Sequence, residues 1–334
     1  LEQGFDAVVQ ALLNSCEPRL APGKDDLVVE DPGGERDDAL EVLPEVGVVL
    51  EPGQLRNLPQ LLHSVPVVFR HQRRDQELIA FFEEGVRVQA IAGVYPPGST
   101  YKMVTALAAL EAGVVTKDTK CFCPGHFDLG SSRFHCWKKE GHGSLDVIGA
   151  LAESCDVYFY SLARDLGIER IAEMGRRLGL GAPTGTGLEE EYKGLMPDKA
   201  WKRRKYDKSW LPGETVNASI GQGYTLATPI QLAVMTARLV NGGTQVTPRL
   251  IRARSGVAAP QPSFPRRAYN AEHIALVLAG MNNCVNDPHG TAYGSRIWDE
   301  GMAMGGKSGT AQVKRITKLE RALGVRNENL AWHL

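Results

Sequence analysis

The sequence predicts a globular chain that mixes α-helices with β-structure, and three observations carry that expectation. The 334 residues are 43% apolar with a formal net charge of −1, enough to bury a sizeable core as one large domain or two small ones. From residue 91 onward, several stretches combine helical periodicity with start and stop signals. Near the end, "MAMGGKSGTAQV" alternates small and apolar residues in the manner of a strand. Ahead of these, residues 1–90 mix proline-rich and acidic stretches with short apolar runs, as in "GKDDLVVEDPGGERDDALEVLPEVGVVLEPG", and carry no stable periodicity.

In "STYKMVTALAALEAG", Met103, Leu107 and Leu110 form one helical stripe and Gly113 is the stop. Further helices are expected in "SLDVIGALAE" and "VYFYSLARDLG". The clearest is "TPIQLAVMTARLVNGG", where Thr228 is placed to cap the N-terminus, Pro229 occupies the first helical position and Gly242 lies beyond the end. Another helix is expected in "NAEHIALVLAGMNNCV". The basic run "DKAWKRRKYDKSW" reads as a solvated loop in preference to an anion-binding patch. No stretch approaches the ~18 apolar residues of a membrane helix, and the start lacks the charged and apolar regions of a signal peptide. A soluble chain is therefore expected. The balanced charge argues against nucleic acid as a partner.

The segment "YPPGSTYK" holds the only Ser-x-x-Lys in the chain, Ser99 and Lys102. A serine hydroxyl is a weak nucleophile until a base takes its proton, and a lysine three places along a helix lies on the same face. That lysine must be neutral to act, which calls for burial or a second cation nearby. The prolines and Gly98 fix a sharp entry, and the helix N-terminus favours a developing oxyanion. The competing reading is an N-capping serine followed by a surface lysine. Two later stretches weigh against it: "ESCDVYFY" places Ser154 and Asp156 two apart, and "GGKSGTAQV" contains Lys307, Ser308 and Gly309. Ser-x-x-Lys, Ser-x-Asn/Asp and Lys-Ser/Thr-Gly, in that order, form the signature of penicillin-interacting serine enzymes. Ser154 and Asp156 can relay a proton and bind a substrate amide, Lys307 supplies positive charge that can also act on Lys102, and Gly309 lets a backbone approach closely.

Four of the six cysteines, Cys121, Cys123, Cys136 and Cys155, fall within 35 residues, with His126, His135 and His142 among them. Such clustering suits a tetrahedral zinc site. A disulfide and free thiols are the alternatives. Cys16 and Cys284 stand apart with no assigned role.

The stretches "AGVYPPGSTYK", "WKKEGHGSLDVIGALAESCDVYFYSLARDLGI", "GETVNASIGQGYTLATPIQLA" and "GKSGTAQV" resemble the class B, elongation-type penicillin-binding transpeptidases. The resemblance runs from about residue 91 to the end. It implies an α/β fold of the serine β-lactamase-like kind, with a central antiparallel sheet, flanking helices and a helical subdomain. It implies a peptidoglycan D,D-transpeptidase of cell elongation, in which Ser99 attacks the D-Ala-D-Ala amide of a stem peptide and an amine of a neighbouring stem resolves the acyl-enzyme; β-lactam antibiotics would acylate the same serine. Lys102, Ser154, Asp156 and Lys307 are the other catalytic positions by this resemblance. Ser308, Gly309 and Thr310 bind substrate, with the Ser99 and Thr310 N–H groups as oxyanion hole. The family's zinc positions map onto Cys123, Cys136, His142 and Cys155, which implies a structural zinc and leaves Cys121 spare. Family partners would be a membrane glycosyltransferase and elongation-machinery proteins. The implied location is the periplasm, on a domain tethered to the inner membrane by an anchor that this chain lacks.

Two departures from that pattern shape the expected organisation. Residues 1–90 form an atypical N-terminal region, and the transpeptidase domain over 91–334 ends 21 residues after Val313, short of the family's further strands and closing helix. The sheet is accordingly expected to be incomplete. Two other readings accompany the transpeptidase: a β-lactam-hydrolysing or sensing relative, for which Glu153 is the one nearby base, and an inactive zinc-stabilised fragment.

Overall fold

The computed structural model describes residues 89–251, 253–254, 257–260, 262–299, 302, 304–312 and 331–333. The atypical region up to residue 88 and Cys16 lie outside the described residues. A 3-10 turn, Gly98–Tyr101, leads into α1 (Lys102–Glu111). Four short strands follow: β1 (Cys121–Cys123), β2 (His126–Leu129), β3 (Ser132–His135) and β4 (Gly143–Leu145). Helices α2 (Val147–Ala152), α3 (Asp156–Leu166), α4 (Ile168–Arg177), α5 (Lys199–Tyr206), α6 (Pro212–Ser219) and α7 (Pro229–Val240) come next. The two-residue strands β5 (Ala253–Arg254) and β6 (Val257–Ala258) precede α8 (Ala271–Asn286). A 3-10 turn, Tyr293–Ser295, and strands β7 (Thr310–Gln312) and β8 (Ala331–His333) complete the series.

Helix α1 is the centre of the core. Every residue from Tyr101 to Leu110 is buried, where periodicity alone predicts a one-sided stripe. The reason lies in the intervening residues: Ala106, Ala108 and Ala109 are small enough for neighbours to close on every side, and the two buried polar residues are bonded, Lys102 to Asp156 and Thr105 to Ser219 O. Helices α3, α4 and α8 pack on it. Helix α8 also lies along α2, where Gly280 comes so near Leu151 that a Cβ there would sit 2.6 Å from the leucine Cβ.

Local signals explain the helix ends. In α7, Thr228 Oγ1 accepts the Gln231 N–H at 3.3 Å and Gln231 Oε1 accepts the Thr228 N–H at 3.0 Å, a reciprocal capping box ahead of Pro229. Asp146 caps α2 and Asn270 caps α8. The basic run is a helix and not the expected loop. Asp198 accepts the Trp201 N–H at 2.7 Å to start α5, and Lys202 buries its stem to reach the Glu214 carboxylate.

Among the described residues each sheet has two antiparallel strands: β1 with β4, β2 with β3, β5 with β6, and β7 with β8. The strand expected over "MAMGGKSGTAQV" is confined to β7. Lys307, Ser308 and Gly309 precede it in a segment without regular structure that is tied to α8 through the Gly306 N–H to Met281 O at 3.0 Å and Asn286 Nδ2 to Met304 O at 2.9 Å. Thr310 in β7 is opposite His333 in β8. No helix among the described residues is long and apolar enough to cross a membrane.

Candidate active site

Ser99 sits in the 3-10 turn and not at the N-cap of α1, whose cap position is Tyr101. Gly98 turns the chain at φ 56° and donates its N–H to Gly221 O at 3.0 Å. Gly221 is itself at φ 71°, and a Cβ there would lie 2.3 Å from Gly98 O. Two glycines in left-handed conformation are thus required for this contact. Thr100 Oγ1 donates to Pro97 O at 2.6 Å and closes the turn. Ser99 is half-buried, and its hydroxyl makes no hydrogen bond among the described residues.

The lysine is not a surface residue. Lys102 has no exposed area, and its ammonium donates to Ser154 O at 2.8 Å, Ser154 Oγ at 3.2 Å and Asp156 Oδ1 at 2.7 Å. All three protons are therefore used on the Ser-x-Asp turn. That turn joins α2 to α3 with Ser154 at φ 55°, a left-handed conformation that costs a non-glycine residue about 1–2 kcal/mol. Strain of this kind gathers at functional sites. Trp137, which sequence reasoning passed over, holds the turn from outside. Its backbone N–H donates to Asp156 Oδ2 at 3.0 Å and its indole N–H to Ser154 O at 3.0 Å.

The segment before β7 closes the site from the other side. Gly309 faces the serine turn: a Cβ there would lie 2.8 Å from Thr100 Cγ2. The glycine thus serves a close approach within the chain, beside any role toward a substrate. Lys307 Nζ donates to Ser308 O at 3.0 Å, Ser308 Oγ shares a hydrogen bond with Thr291 Oγ1, and Thr310 is exposed. Burial first, and the Lys102 charge second, push Lys307 down to about 7.

Cys123, Cys136, His142 and Cys155 bring three sulfurs and one ring nitrogen within 4.8 Å of one another. The β1–β4 pairing sets Cys123 opposite Gly143, next to His142. The β2–β3 hairpin delivers Cys136, whose N–H donates to Gly125 O at 2.9 Å. Gly125 and Gly141 let the two loops touch, since a Cβ on either would lie 2.1 Å from a facing carbonyl oxygen. His142 Nδ1 is 3.6 Å from Cys123 Sγ and 3.5 Å from Cys136 Sγ. The Cys155 hydrogen bond pulls the Cys136 thiol far down, with His142 assisting. Cys155 is pushed up by that same bond and by burial, and Cys123 is pushed up by burial. Thiols so crowded cannot all ionise without a cation among them, and such a donor set fits zinc. Cys121 lies outside the cluster, bonded to Ser161 Oγ at 3.3 Å. None of the five described cysteines is in a disulfide.

With this geometry in view, comparison with known proteins is direct. The family profile of the penicillin binding protein transpeptidase domain matches residues 69–323. The chain belongs to the penicillin-binding protein transpeptidase family. The Haemophilus influenzae peptidoglycan D,D-transpeptidase MrdA is 40% identical over 241 residues, covering 70% of this chain and 37% of that protein. Among solved structures, Pseudomonas aeruginosa PBP2 in complex with WCK 5153 is 36% identical with a TM-score of 0.63, covering 76% of this chain and 58% of that one. PBP2 of Helicobacter pylori, solved with MreC, is 31% identical with a TM-score of 0.63, covering 73% and 45%. These likenesses are to PBP2-type transpeptidases, and the fold is that of the penicillin-binding transpeptidases. The chain spans little more than a third of the length of the curated relative it matches.

Proposed function

We propose that this chain is the catalytic domain of a peptidoglycan D,D-transpeptidase that cross-links stem peptides through an acyl-enzyme on Ser99. The observation that carries this reading is the buried Lys102, bonded to Ser154 and Asp156 three residues from a serine held on a double-glycine turn. Ser99 Oγ bonds to the carbonyl carbon of the penultimate D-alanine as the bond to the terminal D-alanine nitrogen breaks. The serine proton is relayed to that nitrogen through Lys102 Nζ and Ser154 Oγ. The amine of a second stem then attacks the ester, and its proton returns to Ser99 Oγ by the same groups. Asp156 orients Lys102. Lys307 and the Ser308 and Thr310 hydroxyls attract the substrate's terminal carboxylate, and the Ser99 and Thr310 N–H groups receive the oxyanion.

In the same reading Cys123, Cys136, His142 and Cys155 hold one zinc ion. Bound there, the metal would neutralise the thiolates and lock two loops onto the Ser-x-Asp turn, a structural task because four protein donors fill a tetrahedral site. The domain works in the periplasm beside the inner membrane. Its partners are stem peptides, β-lactams, a membrane glycosyltransferase and elongation proteins; a relative solved with MreC supports a protein partner. The test is labelling of the full chain with a fluorescent penicillin. Wild type should be acylated in a 1:1 ratio (about one label per active site) and Ser99→Ala not at all, because only the hydroxyl is lost. Labelling of Ser99→Ala overturns the assignment. Steady turnover of a chromogenic β-lactam would identify a hydrolase instead.

A further inference from the structure

A second hydroxyl stands behind Ser308. Thr291 lies in the loop between α8 and the 3-10 turn Tyr293–Ser295, outside all three motifs of the site. Its backbone N–H donates to Ala152 O at 3.1 Å, at the end of α2 and two residues before Ser154. Its Oγ1 meets Ser308 Oγ at 2.5 Å and Cys284 Sγ, on α8, at 3.3 Å, and reaches Ala152 O only at 3.5 Å, so the short contact to Ser308 is the stronger claim on its one proton. The following residue, Ala292, donates its N–H to Cys284 O at 2.9 Å. Gly290 lets the loop lie this close, since a Cβ there would sit 2.3 Å from Asn283 O and 2.4 Å from Cys284 O. One residue therefore ties the Ser-x-Asp turn, helix α8 and the Lys-Ser-Gly segment together.

We propose that Thr291 is a positioning residue for the carboxylate subsite, fixing the direction in which Ser308 presents its proton. The proposal rests on the transpeptidase reading above, in which Ser308 faces the substrate's carboxylate. Each hydroxyl carries one proton. If Ser308 is to donate to an anion, it can only accept from Thr291, so Thr291 must donate to Ser308. The remaining lone pairs of Thr291 then take the Cys284 S–H. The buried thiol, which the catalytic reading leaves without a task, becomes the start of a chain running Cys284 S–H to Thr291 O–H to Ser308 O–H to carboxylate. Each bond in such a chain polarises the next. Without Thr291, the Ser308 hydroxyl is free to turn its proton toward the wet cleft, and the anion meets a disordered donor.

This assigns an effect on recognition and leaves the acylation chemistry unchanged. The experiment follows acylation of the full chain by a fluorescent penicillin and by its methyl ester, which lacks the anionic carboxylate, separating saturation from the limiting rate. Thr291→Val removes the hydroxyl at nearly constant shape and should weaken apparent binding of the carboxylate form about tenfold, the loss of one hydrogen bond to a charged relay. The limiting rate and reaction with the ester should stay at the wild-type level. Thr291→Ser, which keeps the oxygen, should restore binding. In a Ser308→Ala background Thr291→Val should cost nothing more. Thermal melts check folding of each variant, and the Ser and Val pair keeps the test decisive should Val disturb the loop. Equal loss with penicillin and ester, or no rescue by Ser, overturns the proposal while the transpeptidase reading stands. A wild-type chain that takes up no penicillin overturns that reading, and this proposal with it.

Discussion

Raising the pH through neutrality should discharge Lys307 and slow acylation. Lys307 falls from 10.5 to about 7, through burial and then the Lys102 charge. With that midpoint, about nine-tenths of the molecules carry the charge at pH 6 and about one-tenth at pH 8. The second-order rate with a fluorescent penicillin reports the free protein. It should therefore fall about tenfold per pH unit above 7, a limb that Lys307→Arg removes because arginine stays charged throughout. The same shift has a sign for stability. The folded value lies below the unfolded one, so between about 7 and 10.5 the unfolded chain binds more protons and stability rises with pH. Below 7 the penalty is fully present. Taken whole, the gap between 10.5 and about 7 is a ceiling of about 5 kcal/mol. Lys307 keeps part of its surface, and water screening leaves an expected effect of about 1–2 kcal/mol. Lys307→Met has no charge to bury, so it should melt above wild type at pH 6–7 and lose that advantage towards pH 10. A melting difference independent of pH refutes the burial argument. An acylation limb that persists in Lys307→Arg refutes the role of its charge.

Elemental analysis should find about one zinc per chain. Chelation should then lower the melting temperature and slow acylation together, and a metal-free protein carrying a Cys123 to Cys136 bridge would decide against the site. Gly309→Ala places a methyl 2.8 Å from Thr100 Cγ2 and should cost about 1–3 kcal/mol of local strain, read as slower acylation with a small change in melting. Thr100→Ser removes that Cγ2 and keeps the bond to Pro97, so it should recover the rate in the double variant; failure of this rescue would place the fault elsewhere.

What could be read from sequence was chemistry carried by contiguous residues. Ser99 with Lys102, Ser154 with Asp156, and Lys307 through Gly309 each occupy a few adjacent positions, and the structure brings all three segments together. The start of α7 is legible for the same reason, since Thr228 and Pro229 act on one helix end, while the reciprocal bond from Gln231 is supplied by the structure. What escaped depends on distance in the chain. Trp137 gives no local sign that its backbone will bind Asp156, and Gly221 is one glycine among many until Gly98 is placed against it. Helix α5 was hidden because six basic residues outweigh one cap, whereas Lys202 gains a buried partner in Glu214 that only the fold supplies. The alternation around Lys307 predicts strand, but residues 304 and 306 are bonded to α8 and strand pairing begins only at Thr310.

The cysteine cluster and the catalytic turn are not separable devices. Cys155 lies between Ser154 and Asp156, and its sulfur also accepts the Tyr158 N–H at 3.4 Å to start α3. Cys136 is followed at once by Trp137, whose N–H holds Asp156 Oδ2 while Lys102 holds Oδ1. Asp156 is thus fixed on one oxygen by the loop that carries a cysteine of the cluster and on the other by the lysine of the serine helix. If the cluster loosens, Trp137 withdraws, one carboxylate oxygen is freed to rotate, and the Lys102 ammonium loses its orienting partner. Ser154, held at a costly positive φ by the same neighbours, would relax with it. Rigidity at Ser99 is therefore set partly at a site that takes no part in the bonds made and broken there, and damage to the cysteines should be felt first as slower acylation and only then as unfolding.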